Sequence, residues 1–173
     1  MQKARYNNGF TLIEVLFGVI LVGISIACLV ATNITSTRAN NIAMNLSTAE
    51  FLTEQIRELT TLLPVVDPEI NWETIVTLGP ESGEIWSDYD EVDDFDGFDS
   101  ANISAPISAD RKVLNDFSAF TQRVTVEKVS DVNFEQVVPD NYLSGFVRVT
   151  VEILLNSEPL YSVNWIRTVR TQN

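Results

Sequence analysis

Carboxylates are the side chains of this sequence that could do chemistry, because it contains no histidine and a single cysteine. The densest group comprises six aspartates interleaved with aromatic residues: Asp88, Asp90, Asp93, Asp94, Asp96 and Asp99. Calcium binds about six to eight oxygens, largely from carboxylates and carbonyls, and Gly97 permits a tight turn here. The spacing does not fit an EF-hand loop, which would have to begin at Val92. The segment is therefore interpreted as a solvated acidic loop, with a calcium site at these six aspartates as the alternative.

Glu14 is a second notable carboxylate, because it lies where a charge is costly. It is the single charged residue between Phe10 and Val30, a segment of 21 residues that is otherwise almost entirely apolar. An unpaired, ionised carboxylate at this depth in a membrane costs about 3 kcal/mol on insertion scales. Glu14 is therefore expected to have a partner.

The apolar segment is long enough to cross a membrane. At ~1.5 Å per residue it reaches about 31 Å, whereas the apolar core of a cleaved secretory signal has about 7–15 residues. Lys3 and Arg5 precede the segment, so the positive-inside rule places the N-terminus in the cytoplasm. The sequence predicts a retained transmembrane segment over residues 10–32. The alternative interpretation is an ordinary signal anchor, which has no role beyond holding the chain in the membrane.

A basic leader, Gly9 before Phe10, and Glu14 four residues after that Phe form a recognisable pattern. It resembles the leader and N-terminal helix of type IV pilins and type II secretion pseudopilins. The resemblance implies that residues 1–9 are a prepilin leader, that prepilin peptidase cleaves after Gly9, and that Phe10 is then N-methylated. It also implies that Glu14 pairs with the free α-amine of a neighbouring subunit's Phe10, within a filament of pilins or pseudopilins.

Residues 33–63 contain neither Pro nor Gly and are predicted to continue the helix. Apolar residues recur there at spacings of three and four: Ile42, Leu46, Ala49, Leu52, Ile56, Leu59 and Leu63. This pattern indicates an amphipathic helix with one covered face. Pro64 is expected to end it, because Pro disfavours helical geometry at the preceding residue.

Residues 64–173 are predicted to form a globular domain. It begins with loops, including an acidic loop over residues 81–100 whose aromatic residues indicate that it is pinned to the domain. Alternating patterns predict strands at about 119–129, 145–155 and 160–170, with a turn over residues 156–159 between the last two. The expected class is α+β: a pilin-like long N-terminal helix, with a transmembrane and an amphipathic half, packed on a C-terminal antiparallel sheet.

Composition excludes several function classes. A formal net charge of −13 disfavours nucleic-acid binding, which requires cations opposite the phosphates. The absence of histidine and of catalytic motifs argues against an enzyme. A single cysteine, Cys28, excludes an internal disulfide, and many adhesive major pilins close a C-terminal loop with one.

The predicted function is structural: the chain is a subunit of a type IV pilus or a type II secretion pseudopilus. A minor subunit is favoured over a major one. The resemblance implies a bacterial inner-membrane protein with a periplasmic domain that later enters the filament. Residues 88–170 also loosely resemble minor pilins of the mannose-sensitive haemagglutinin type. The alternative is a membrane-anchored periplasmic module that binds calcium or a protein. No cofactor is required, and calcium is a candidate ligand.

Overall fold

The computed structural model describes residues 10–67, 77–139 and 141–168. Within these residues the chain forms one α-helix, three short 3₁₀ helices and three β-strands. They are α1 (Leu12–Thr61), the 3₁₀ helices Asp93–Phe95, Ser100–Ile103 and Asn115–Phe117, β1 (Phe120–Lys128), β2 (Phe146–Leu155) and β3 (Glu158–Thr168). The chain divides into two compact units, Met1–Met44 and Asn45–Asn173.

In the first unit, α1 exposes its apolar side chains and satisfies its own polar groups. The Ser25 hydroxyl donates to the Leu21 carbonyl at 2.8 Å, and the Thr32 hydroxyl donates to the Cys28 carbonyl at 2.9 Å. Such bonds to the preceding turn pair these two hydroxyls within the helix, in a segment that lipid would surround. The local structure of this stretch is therefore compatible with an apolar environment.

The core of the second unit lies between α1 and the sheet. The helix contributes Ala49, Leu52, Ile56 and Leu59, and the sheet contributes the inward-facing residues of β1 and β2: Val124, Val126, Val147, Val149, Val151 and Ile153. Alternate residues of a strand point to the same face, which is why these valines line up under the helix. This packing confirms the predicted α+β class with a helix on an antiparallel sheet.

The three strands lie in sequence order and pair antiparallel. The turn between β2 and β3 is shorter than the predicted one over residues 156–159. It consists of Asn156 and Ser157, with φ angles of 51° and 71°, the left-handed pair that a two-residue hairpin turn requires. Pro159 already pairs with Leu154, where the register shifts. A Pro is tolerated there because β3 is an edge strand and the shift marks an irregularity.

The helix ends at Thr61 rather than at the predicted Leu63. No basic residue lies in its last turn, and Arg167 of β3 supplies the missing cation. Its guanidinium donates to the Thr60 carbonyl at 2.6 Å and to the Leu63 carbonyl at 2.9 Å. A cation at this end satisfies free carbonyls and complements the helix dipole.

The predicted apolar stripe of α1 is covered over only part of its length. Ile42 and Leu46 are 66% and 38% exposed, whereas Ala49 is fully buried. The prediction that the chain covers the stripe from Ile42 onward was therefore wrong for the described residues. The buried core against which the helix packs begins at Ala49.

Gln122 is a buried polar residue that joins three elements. Its side-chain carbonyl accepts from the Ile107 amide at 2.7 Å, and its side-chain amide donates to the Leu52 and Ile107 carbonyls at 2.9 and 3.1 Å. Gln122 is fully buried, so no water can replace these bonds. The residue ties β1 to the helix and to the loop that holds Ile107.

A Gln122→Leu variant is expected to lose about 1–3 kcal/mol of unfolding free energy, because the buried Ile107 amide loses its acceptor. Chemical denaturation of the detergent-solubilised chain measures the loss. Gln136→Leu, which changes an exposed glutamine, is the control and should stay within about 0.5 kcal/mol of the parent. Equal effects of the two variants would contradict the role given to Gln122.

Candidate functional site

The first candidate site is the start of α1, which contains Glu14. The Glu14 amide donates to the Thr11 carbonyl at 3.0 Å and to the Thr11 hydroxyl at 3.4 Å. A Thr at the N-cap followed three residues later by Glu has the spacing of a capping box, and a carboxylate in the first turn complements the helix dipole. Glu14 thus also has a local role that the sequence analysis missed, although the Thr-x-x-Glu spacing could have revealed it.

The apolar residues that follow Glu14 are exposed in the single chain. Leu12, Val19 and Leu29 are 90%, 65% and 64% exposed, and the other large apolar side chains up to Val30 are exposed in the same way. Among the described residues, α1 is the one helix long and apolar enough to cross a membrane. Phe10 is described and exposed, whereas Gly9 and the rest of the leader lie outside the described residues.

The second candidate site is the acidic loop, and aromatic residues pin it to the core as the sequence predicted. Phe95 is fully buried, and Tyr89 packs edge-on against it with ring centroids 5.2 Å apart. The Val92 amide donates to the Pro64 carbonyl at 2.9 Å, and the Asp93 amide donates to the Val65 carbonyl at 3.1 Å. The loop therefore has a defined conformation that can place carboxylates.

Three of the six candidate calcium ligands have other partners in the structure. Asp96 accepts from the Val126 amide at 2.8 Å. Asp99 accepts from the Ala101 amide at 2.8 Å and from the Arg123 guanidinium at 2.9 Å. Asp88 is exposed and accepts from the Ser87 hydroxyl. These bonds anchor the loop to β1 and cap a 3₁₀ helix.

The structure brings Asp90 and Asp94 together, but with glutamates that the sequence analysis did not select. Two groups of three carboxylates, Asp90–Glu91–Asp94 and Glu81–Glu84–Asp94, each have oxygens within 4.8 Å of one another. We call these five residues the Asp94 cluster. Asp93 is buried beside Asp94 in the chain and belongs to neither group. Sequence spacing could not reveal the set, because Glu81 and Glu84 reach Asp94 through the turns of the loop.

The cluster and Asp93 form a strongly negative environment. Burial, together with a hydrogen bond to Asp90, raises the pKa of the Glu91 carboxyl to about 9. Burial and the charge of Asp94 raise the pKa of the Asp93 carboxyl to about 7. Burial also raises the pKa of Asp94, and a hydrogen bond with Glu81 raises the pKa of Glu84. In the absence of a cation, the fold thus holds protons on carboxyls that are ionised in the unfolded chain.

This proton uptake predicts that stability falls as pH rises. The folded-state pKa values of Glu91 and Asp93 lie above their ordinary values of 4.5 and 3.8, so their contribution is complete below about pH 4 and is lost through pH 7–9. Thermal unfolding of the chain in detergent, with a chelator present, should show less stability at pH 8 than at pH 5.5, by on the order of 5 kcal/mol. Glu91→Gln should flatten this dependence, and a parent chain that is more stable at pH 8 would contradict it.

The comparisons with known proteins concern the N-terminal segment. Residues 4–27 match the prokaryotic N-terminal methylation motif, whereas no curated protein and no solved structure matches the chain. The matched residues include Gly9, Phe10 and Glu14. A long N-terminal apolar helix packed on a three-stranded antiparallel sheet defines a pilin-like α+β protein. The motif indicates the family of type IV pilins and pseudopilins, which are structural proteins without enzymatic activity.

The N-terminal methylation motif has two direct consequences. The motif implies processing by prepilin peptidase and assembly into a filament, and it places the chain in the inner membrane before it enters the filament. The match ends at residue 27, so it does not bear on the loose resemblance of residues 88–170 to minor pilins of the mannose-sensitive haemagglutinin type. That resemblance stays a prediction.

Proposed function

We propose that the chain is a minor subunit of a type IV pilus or of a type II secretion pseudopilus. The observation that carries the proposal is the methylation motif at residues 4–27 on a helix whose apolar side chains are exposed in the single chain. Such a helix requires lipid before assembly and neighbouring helices after it. A filament core provides the second environment.

In this proposal, prepilin peptidase cuts between Gly9 and Phe10, and Phe10 is then N-methylated. Residues 10–32 span the inner membrane with the N-terminus in the cytoplasm, since Lys3 and Arg5 precede the apolar segment. Glu14 then pairs with the new α-amine of a neighbouring subunit. A charge pair of this kind offsets the cost of a carboxylate in an apolar surrounding.

Residues 64–173 form the periplasmic domain and decorate the outside of the filament. The single cysteine supports a minor rather than an adhesive major subunit, because no internal disulfide can close the C-terminal region. The core of the second unit holds the domain together instead, and Gln122 and Arg167 connect the sheet to α1.

Quantitative mass spectrometry of sheared surface filaments tests this function. A minor pilin should appear there in its mature form, with N-methylated Phe10, in far fewer copies than the main subunit. A pseudopilin should instead be required for secretion of exported enzymes, and deletion of its gene should abolish that secretion without removing surface pili.

The second candidate function is a membrane-anchored module that binds calcium or a protein, and the Asp94 cluster is the observation that favours it. The two functions predict different fates for the mature chain. An anchored module stays in the inner membrane and is absent both from sheared filaments and from crosslinked pseudopilus assemblies. Such a result would overturn the filament proposal.

A further inference from the structure

The two carboxylate groups of the acidic loop share Asp94. The distances between the carboxylate oxygens within each group suit a calcium ion. Calcium lies about 2.3–2.6 Å from its oxygens, so two oxygens that share one ion are at most about 5 Å apart. In each group of the Asp94 cluster the oxygens lie within 4.8 Å of one another. Each group therefore has the spacing of ligands around one calcium ion.

An independent observation at Asp94 indicates that a ligand belongs there. Asp94 is 1% exposed, and its Oδ2 accepts from the Asp90 and Glu91 amides at 3.1 and 2.9 Å. Its Oδ1 is buried and has no hydrogen-bond partner. A buried carboxylate oxygen without a donor is costly, and a bound cation would supply its missing partner.

In the part of the chain that the structure describes, no Lys or Arg side chain forms an ion pair with the Asp94 cluster. Among the described residues, ion pairs with Lys or Arg involve other acids, namely Glu54, Asp99, Asp110 and Glu127. Arg111 approaches the loop but donates to the backbone carbonyls of Ser87 and Tyr89. Close carboxylates repel one another unless they hold protons, and a positive ligand would offset the negative charge of the ionised groups.

Burial and ligand chemistry favour a bare ion over a side chain of a partner protein. Glu91 is 7% exposed and Asp94 is almost inaccessible, whereas Glu81 and Asp90 are exposed. A partner's side chain would have to reach Asp94, which is 1% exposed, whereas a bare ion carries no chain with it. Calcium accepts irregular sets of carboxylates, whereas magnesium demands octahedral geometry and retains its waters.

We infer that calcium binds at the Asp94 cluster, where Asp94 is the ligand common to the two carboxylate groups, with Glu81 and Glu84 completing one group and Asp90 and Glu91 completing the other. Bound calcium would hold residues 81–94 in place against the helix and sheet of the second unit. The site differs from the calcium site that the sequence offered as an alternative, because Asp88, Asp93, Asp96 and Asp99 are not among its ligands. The inference is independent of whether the chain enters a pilus or a pseudopilus.

Calorimetric titration of the full chain in detergent micelles with calcium chloride, after removal of metal by a chelator, tests the inference. The parent chain should show saturable uptake at millimolar calcium or below, and its thermal unfolding temperature should rise with calcium. Asp94→Asn should weaken the affinity at least tenfold, since the amide can still accept from the Asp90 and Glu91 backbone while the free oxygen is lost. Equal concentrations of magnesium should give a much smaller rise.

Two exposed positions make the test independent of folding defects. Glu81→Gln alters the cluster at the surface and should weaken calcium binding severalfold. Asp88→Asn removes the same charge from the same loop outside the cluster, and its affinity should stay within twofold of the parent. Absence of calcium uptake by the parent chain would overturn the inference. Equal losses in Glu81→Gln and Asp88→Asn, or equal stabilisation by sodium chloride at matched ionic strength, would overturn it too.

Discussion

A Gly9→Val variant is expected to accumulate as the uncleaved precursor and to be absent from filaments. The proposed cut follows Gly9, where the lack of a side chain lets the peptidase approach the backbone closely. A β-branched residue both blocks this approach and stiffens the chain. Intact-mass analysis of the membrane fraction should show the leader retained on nearly all copies, and no methylated Phe10.

Asn7→Val provides the matched control, because it places the same side chain in the leader two residues before Gly9. This variant should mature as the parent does. Normal maturation of Gly9→Val would refute the proposed cleavage site. The experiment also tests the origin of the α-amine, since an uncleaved chain has no free amine at Phe10 for a neighbour's Glu14.

A Glu14→Gln variant is expected to be cleaved and methylated normally but to enter filaments at least tenfold less efficiently. A hydrogen bond to a charged group contributes about 1.5–3 kcal/mol, and each 1.4 kcal/mol corresponds to about a tenfold change in association. Gln keeps the length of the side chain and fits a capping box as well as Glu does. A loss of assembly would therefore report the charge and not a defect in the helix.

Thr11→Val separates the two roles of Glu14. It removes the hydroxyl that accepts from the Glu14 amide while leaving the carboxylate in place. This variant should assemble close to the parent level, as measured by the ratio of subunit in sheared filaments to subunit in membranes. Full assembly of Glu14→Gln would refute the proposed pair between Glu14 and a neighbouring subunit's α-amine. Equal losses in both variants would assign Glu14 to helix capping.

The amino-acid sequence alone determined the N-terminal segment. A long apolar run with one carboxylate, preceded by Gly–Phe and a basic leader, admits few environments, because lipid and helix packing constrain composition directly. The strand that contains the valines of β2 could also be predicted from the sequence, since strict alternation matches the period of a strand that is buried on one face. The helix, the sheet and the N-terminal methylation motif could therefore be predicted without coordinates.

Other features depended on contacts between distant parts of the chain. The stripe of α1 has the same spacing at Ile42 and Leu46 as at Ala49 and Leu52, yet the core covers only the later pair fully. Periodicity shows which face of a helix is apolar, but the length of the element packed against it decides how much of that face is buried. Gln122 is a similar case, because its partners on Leu52 and Ile107 are far away in sequence.

The carboxylates also divide into those that the sequence identified and those that only the tertiary structure brought together. Sequence identified Glu14, since the cost of a charge in an apolar run is a local property. Sequence also located an acidic loop, but it selected six aspartates by proximity along the chain. Only the tertiary structure decided that Asp96 and Asp99 bond to β1 and its neighbours, and that Glu81, Glu84 and Glu91 join Asp90 and Asp94. The physical reason is that the turns and buried aromatics of the loop, and not residue spacing, determine which oxygens meet.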